Sequence, residues 1–315
     1  MQLIDQLEDR YDRVKLMERI TDASVRYEDG DWYITIDGGE YGINAEAMNS
    51  LLSILKVPIK YAWRFAESSA LGAETMVNFW LEESGEIGYL IEGLVVTQVF
   101  AGGGMYIPGV KINDLIFDYL KGEVSVHSFY AEADVFSAIY LSDKCIDIAG
   151  GSWQVGIRVL YSDCFSITPR FDGVLCSEDT GATLAWPTMK RKFRVASNTY
   201  PQVFSQVEEF IDVSIDGMMS ELVRSLRENW EGMTEQVVVA DTLIFRLCTE
   251  LRLSRKIGDE ILEFSGVSTL PPLTDFAKSV TRYLMNLKPD SCISVEVARD
   301  IQVAVSKFLV GKSFK

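Results

Sequence analysis

The residues with the clearest chemical potential form a basic cluster at 186–195, with the sequence WPTMKRKFRV, which places four cations within five positions. The rest of the chain is acidic, with a formal net charge of −16 over 315 residues and a pI of about 4.6. The field of an acidic chain repels polyanions, so binding of nucleic acid would need a concentrated basic patch of this kind.

The alternation of a β-strand predicts which of these cations share a face. If 190–197 is a strand, Lys190, Lys192 and Arg194 form one row, and Arg191 and Phe193 lie on the opposite face. Such a row could follow a phosphate backbone while Trp186 or Phe193 stacks on a base. The alternative is a solvated edge strand whose lysines oppose aggregation between sheets. The predicted nucleic-acid-binding residues are therefore Trp186, Lys190, Arg191, Lys192, Phe193 and Arg194.

The cysteine and histidine content of the chain argues against most catalytic and metal-binding sites. The five cysteines, at 145, 164, 176, 248 and 292, form no CxxC or CxxH pair, and we expect them to be reduced. With His127 as the single histidine, any site that needs two histidines is excluded, and we expect His127 to be an ordinary strand residue. We predict no metal, no cofactor and no recognisable catalytic constellation.

Two carboxylates lie beside cysteines in the sequence, where a thiol and a carboxylate together could form a reactive centre. Asp163 precedes Cys164, and Glu178 follows Cys176 by two positions. A neighbouring anion raises the pKa of a thiol, which disfavours a nucleophilic thiolate. The sequence therefore favours a core or turn role for both carboxylates.

The elements that would position these residues change along the chain. Residues 31–36 alternate as a strand that Asp37-Gly38-Gly39 ends, and Asn44 can cap a helix that stops at Pro58, before a second short helix. Residues 86–142 are predicted as short strands, with a flexible turn at Gly102-Gly103-Gly104 and no helix directly after it.

Residues 152–200 are predicted to form an antiparallel meander of three or four strands, with turns at hairpin spacing. The period then becomes 3.6, which predicts a helix at about 201–230 that packs on the meander. The side chains expected at that contact are Val207, Ile211, Ile215, Met218 and Leu222. Further helices are predicted at about 234–251, 253–264, 273–287 and 294–311.

The sequence thus predicts an α+β fold in which an antiparallel β-meander packs on a long helix, with a helical C-terminal region. Residues 1–200 are expected to form the mixed α/β region, and 201–315 the helical region packed on it, as one continuous globular unit. The first thirty residues lack the apolar core of a secretory signal, and apolar runs are shorter than the roughly 20 residues of a membrane span. A cytoplasmic protein without membrane contact is expected.

Two stretches carry a family resemblance. The residues LSILKVPIKY, at 52–61, and YSDCFSITPRFDGVLC, at 161–176, resemble two blocks of phage and plasmid proteins that carry domain of unknown function 932. The matching positions are Leu55, Pro58, Tyr61, Ser162, Ile167, Pro169 and Cys176. The chain departs from the family where Cys164 replaces a small residue and where Ser177-Glu178 replaces a closing Asn-Gly.

The resemblance implies a protein of a phage, prophage or plasmid, acting in the cytoplasm of a bacterial host, and it carries over no catalytic residue. A meander followed by a long helix is also similar, at the level of fold alone, to phage annealing proteins. The leading hypothesis is a non-enzymatic protein that binds single-stranded nucleic acid in replication, recombination or counter-defence. The alternative is a structural or assembly protein that contacts copies of itself or other phage or host proteins, and a third hypothesis is an unrecognised hydrolase.

Overall fold

The protein is described by a computed structural model at residues 12–101, 107–120, 124–132, 135–163, 169–187, 205, 208, 209, 219–288 and 291–310. The first sheet has six strands in the order β1-β5-β6-β4-β3-β2. Their bounds are β1 Val14–Ile20, β2 Ala23–Glu28, β3 Asp31–Ile36, β4 Gly39–Ile43, β5 Ile87–Glu92 and β6 Val95–Ala101. All neighbours pair antiparallel except β4 and β6.

Two tight turns set the register of the first hairpins. The turn between β3 and β4 has φ of +48° at Asp37 and +78° at Gly38, and the turn between β2 and β3 has the same left-handed pair at Asp29 and Gly30. Glycine adopts this region without steric cost, and such pairs match the twist of the flanking strands. The predicted strand at 31–36 and its turn are confirmed.

Three helices lie between β4 and β5. They are α1 Ala45–Ile54, α2 Ile59–Ser68 and α3 Ala70–Glu82. Asn44 caps α1 as predicted, because its Oδ1 accepts a hydrogen bond of 2.7 Å from the amide of Ala47. These helices and one face of the first sheet share an apolar core that includes Trp32, Ile34, Met48, Leu51 and Val77.

The second sheet is an antiparallel meander in the order β11-β10-β9-β8-β7. Its strands are β7 Val124–Glu132, β8 Val135–Ile148, β9 Gly151–Ser162, β10 Arg170–Ser177 and β11 Thr183–Pro187. The predicted meander is confirmed for β9 to β11, and the structure adds β7 and β8 to it. Residues 188–200, which include the predicted fourth strand, lie outside the described residues.

The prediction of strands alone between 86 and 142 is wrong. A helix, α4 Gly109–Leu120, begins five residues after the triple glycine and packs on β8 and β9 in a core with Phe136, Tyr140 and Tyr161. Asp163 anchors the start of this helix, because its Oδ1 accepts from the amide of Gly109 at 2.9 Å. A carboxylate at a helix N-terminus also interacts favourably with the helix dipole.

The C-terminal region is helical, as predicted. Its helices are α5 Met219–Glu235, α6 Ala240–Glu250, α7 Arg255–Phe264, α8 Leu273–Met285 and α9 Val295–Leu309. Leu222 is fully buried in one apolar cluster with Trp153, Leu175 and Leu184, so α5 packs on the meander at this predicted contact. The other four predicted contacts, Val207, Ile211, Ile215 and Met218, lie outside the described residues.

The four cysteines within the described part of the chain, at 145, 176, 248 and 292, are not in disulfides. Cys164 lies outside it. Among the described helices, none combines the length and the apolar character that crossing a bilayer requires.

Candidate functional site: a buried arginine–aspartate cluster

The predicted nucleic-acid site falls almost entirely outside the described residues. This holds for Lys190, Arg191, Lys192, Phe193 and Arg194, whereas Trp186 lies in β11. The side chain of Trp186 is 6% exposed and belongs to the apolar cluster between the meander and the C-terminal helices. That burial leaves little of its ring surface for a base to stack on.

A different group of charged residues meets on the meander. In the antiparallel register Arg158 of β9 lies directly opposite Asp172 of β10, so both side chains point to the same face. Helix α9 covers this face and contributes Arg299 and Gln302, which are three positions apart and therefore lie on one side of the helix. We call these four residues the arginine–aspartate cluster.

Asp172 is the centre of the cluster and is 1% exposed. Its Oδ2 accepts from Nε and Nη2 of Arg158 at 3.2 and 3.1 Å and from Nε of Arg299 at 2.8 Å. Its Oδ1 accepts from Nη2 of Arg299 at 2.6 Å. One carboxylate thus receives four charge-assisted hydrogen bonds from two guanidinium groups, in the paired geometry that makes such bonds strong.

The cluster extends to both ends of the contact with α9. Nη1 of Arg158 donates to Oε1 of Gln302. Nη1 of Arg299 donates to Oδ1 of Asp300 at 2.6 Å, and Arg170 donates to the same oxygen at 3.0 Å. Because Asp300 and Arg170 are 39% and 38% exposed at their side chains, the network runs from the buried face to the surface.

The electrostatic environment keeps these groups charged near neutral pH. Burial lowers the pKa of Arg158 to about 10, although Asp172 opposes that shift. Burial alone would raise the pKa of Asp172, but Arg299 and Arg158 together hold it below its usual value. For Arg299 burial is again the largest single effect, yet Asp172 and Asp300 together raise its pKa above the ordinary arginine value. The cluster together with Arg170 and Asp300 contains three arginines and two aspartates, which gives a formal charge of +1.

A cavity of about 170 Å³ adjoins the cluster, between the meander and helices α8 and α9. Its polar lining residues are Ser128, Ser137, Arg158, Arg299 and Gln302, and the remainder are apolar, among them Phe129, Ile139 and Leu284. A cavity with a few convergent polar groups in an apolar wall is the usual form of a small-ligand site.

Sequence reasoning missed the cluster, although a signal was present. Arg158 and Asp172 interrupt the apolar stretches VGIRVLYS and RFDGVLCS, which otherwise read as buried strands. Charged residues are rarely buried unless they are paired. An arginine and an aspartate in two successive apolar strands are therefore expected to pair with each other. Arg299 in α9 is a third member that this pattern does not predict.

The structure also joins His127 and Cys176, which are 49 positions apart. Nε2 of His127 lies 3.4 Å from Sγ of Cys176, at an irregularity in the pairing of β7 with β8. Burial lowers the pKa of His127 and raises that of Cys176, so both groups favour their neutral forms. A thiolate is the nucleophilic form of cysteine, so this arrangement does not supply an activated nucleophile.

The carboxylates weighed beside cysteines have structural contacts. Asp163 is 4% exposed and holds the start of α4, which confirms the core role expected for it. Glu178 accepts from Sγ of Cys145 at 3.5 Å at the surface. Within the described ranges, no group of three or more His, Cys, Asp or Glu side chains is arranged to hold a metal ion.

Comparisons of the chain with protein-family models, with curated proteins and with solved structures find no match. The resemblance to phage and plasmid proteins therefore rests on the two quoted stretches of sequence.

Proposed function

We propose that this chain is a non-enzymatic binding protein of a phage or other mobile element, and that its basic segment at 188–195 binds single-stranded nucleic acid. The proposed setting is replication, recombination or counter-defence in the cytoplasm of a bacterial host. The family resemblance of residues 52–61 and 161–176 supports the setting, and the charge pattern supports the ligand.

The observation that carries the proposal is where the basic segment begins. β11 ends at Pro187, whose register partner on β10 is Asp172. The segment with four cations therefore follows, in sequence, the residue paired with Asp172, whose own hydrogen-bond partners are Arg158 and Arg299.

Local charge can decide binding in an acidic protein, because salt screens exposed charges beyond roughly 10 Å at 0.1 M. Negative charges farther than this from a bound strand then contribute little to the field that the strand experiences. Each phosphate contact on a single strand contributes about 0.7 to the slope of log affinity against log salt concentration.

The test is fluorescence anisotropy with a labelled single-stranded oligonucleotide over a salt series. We expect the triple variant Lys190→Ser, Lys192→Ser, Arg194→Ser to flatten the salt slope by up to about two units. The matched control is Arg252→Ser, Arg255→Ser, Lys256→Ser, which changes the net charge equally at exposed positions. The control should leave the slope unchanged.

Two outcomes would reject binding by this segment. One is no binding by the wild-type protein at low salt, and the other is an equal loss in both triple variants, which would reflect net charge alone.

The alternative function, an assembly protein, is favoured by one specific feature of the first region. Helices α2 and α3 expose four large apolar side chains, Tyr61, Leu71, Phe79 and Trp80, each at least 46% exposed. Large exposed apolar side chains of this kind, where they adjoin one another, are typical of protein–protein contact sites. A negative result in the nucleic-acid experiment would place this function first.

A further inference from the structure

We propose that the cavity beside the arginine–aspartate cluster is a binding site for a small organic carboxylate with an apolar body. The residues that line this site are not those of the basic segment, and its ligand is a small molecule rather than a polymer.

The charge of the cavity wall selects an anion. Arg158 and Arg299 are the only charged residues among the described residues that line it. Asp172 binds both guanidinium groups but does not line the cavity, and Asp300 lies at the exposed end of the network. The described cluster keeps a formal charge of +1, so one negative charge in the cavity would make the buried network neutral.

The donors needed for a carboxylate are available on a side chain that is 3% exposed. The bonds from Arg158 to Asp172 and Gln302 engage three of its N–H groups. A guanidinium has five N–H groups, and Nη1 and Nη2 each carry two of them. Arginine binds planar carboxylates through such neighbouring N–H groups, and burial makes each of these bonds count for more than it would in water.

The volume of the cavity and its apolar wall determine what kind of body the carboxylate ligand can carry. The cavity measures about 170 Å³. A cavity of about 150 Å³ accommodates a benzene ring. The apolar wall, with Phe129, Ile139, Leu284, Met285 and Ala298, suits an aromatic or short aliphatic body, whereas a phosphate or sulfate ion would leave this wall without contacts.

The probe is benzoate, and its neutral isostere benzamide is the control ligand. We expect the melting temperature of the full-length protein to rise with the logarithm of the benzoate concentration above the Kd, and benzoate to bind in calorimetry with a Kd below about 10 mM. Benzamide has nearly the same shape but no charge, so it should bind at least about tenfold more weakly.

Two variants locate the site. Ala298→Leu places a larger side chain in the cavity and should abolish benzoate binding, whereas Ala70→Leu adds the same side chain at an exposed position and should not. Gln302→Glu keeps the side-chain shape but puts an anion beside Arg158, so it should also abolish binding if the charge of the cluster selects the ligand. Gln302→Glu provides the test of the site if Ala298→Leu does not fold.

The proposal is overturned if wild-type protein does not bind benzoate below about 10 mM. It is also overturned if benzamide binds as tightly as benzoate, or if a folded Ala298→Leu or Gln302→Glu variant binds benzoate like the wild type. None of these measurements involves residues 188–195, so they are independent of nucleic-acid binding.

Discussion

The two sheets of this protein differ in the kinds of side chain that they bury. Among the described residues 12–101, which form the first sheet and its helices, Gln98 is the only buried polar or charged side chain. Within the described parts of the second sheet and its helices, fourteen such side chains are buried, including Arg158, Asp172 and Gln302. The first region is thus held by apolar contacts, and the second combines apolar contacts with a network of charges.

The difference follows from how each sheet is covered. The main apolar core of the first sheet lies on the face under α1 to α3, and only a small cluster around Leu90 and Phe100 lies apart from it. In the second sheet, α4 packs on one face of β8 and β9, and α9 reaches the other through Val303 and Gln302. A charged residue on a sheet covered on both faces is largely removed from water, so its partners must come from within the fold.

The two kinds of core also differ in how strictly they fix the positions of helices relative to strands. Apolar contacts are non-directional, so they fix volume more than orientation. The paired bonds of Arg158 and Arg299 to Asp172 require one position of α9 relative to β9 and β10. Ser306 adds a second directional contact, because its Oγ accepts from the amide of Ala185 in β11 at 2.9 Å.

The largest expected effect is the loss of Asp172. Asp172→Ala leaves two buried arginines without their common carboxylate, and breaking a buried ion pair in this way costs about 3–5 kcal/mol. Urea unfolding measures the change in the free energy of unfolding. The matched control is Asp300→Ala, which removes a half-exposed carboxylate and should cost less than about 1 kcal/mol.

The contribution of Asp172 to stability should also depend on pH in a predictable direction. Since the arginines hold the pKa of Asp172 below its usual value in the folded chain, its stabilising contribution is complete above about pH 4 and is lost as the pH falls through the folded pKa. Wild type should therefore lose stability below about pH 4 more steeply than Asp172→Ala. Parallel acid profiles would show that the carboxylate is not stabilised by its partners.

The next largest effect separates the two regions. Leu51 and Leu222 are both fully buried, one in the core of the first sheet and the other in the core that α5 shares with the meander. Replacing either leucine by alanine should cost about 3 kcal/mol, because it removes apolar contacts and leaves a cavity.

Hydrogen exchange shows where each of these losses acts. We expect Leu51→Ala to reduce amide protection in β1–β6, and Leu222→Ala to reduce it in β7–β11. If either variant reduces protection in both sheets equally, the two regions unfold as one cooperative unit, and the comparison between them has no energetic basis.

The smallest effect concerns Glu260, the corresponding polar anchor among the C-terminal helices. Its carboxylate accepts from the hydroxyl of Tyr283 at 2.8 Å, from the hydroxyl of Ser291 at 2.5 Å and from the amide of Cys292 at 3.1 Å. Burial opposes ionisation, but hydrogen bonding from the side chain of Cys292, from Ser291 and Tyr283 and from the Cys292 amide lowers the pKa of Glu260 to about 2.

Glu260→Gln keeps the size of this side chain but removes its charge, and we expect a loss of about 1–2 kcal/mol in urea unfolding at pH 7. Glu263→Gln, on the exposed side of the same helix, is the control and should change stability by less than about 0.5 kcal/mol. An equal effect of both substitutions would mean that the three hydrogen bonds to Glu260 contribute nothing specific.

Much of the architecture was predictable from local patterns. The strand at 31–36, the capped helix after Asn44, the strands β9 to β11 and the helices after residue 234 all follow from periodicity and from residues that start or stop an element. Helix α4 was missed because turn signals at Gly102-Gly103-Gly104 and Pro108-Gly109 suggested short strands on both sides. Its first turn is stabilised by Asp163, which is 54 positions from Gly109 and so invisible to a local pattern.

The α+β class, the meander, the helical C-terminal region and the acidic character of the chain can be deduced from sequence, because each depends on neighbours in the chain or on composition. Which charged residues are buried, and which residues they contact, depends on the three-dimensional packing. Arg158 pairs with Asp172 on the neighbouring strand, and both form hydrogen bonds with residues of α9 that lie more than 120 positions later in the chain. Such contacts are set by how helices cover a sheet, and the free energy of a charge depends on that covering far more than on its neighbours in sequence.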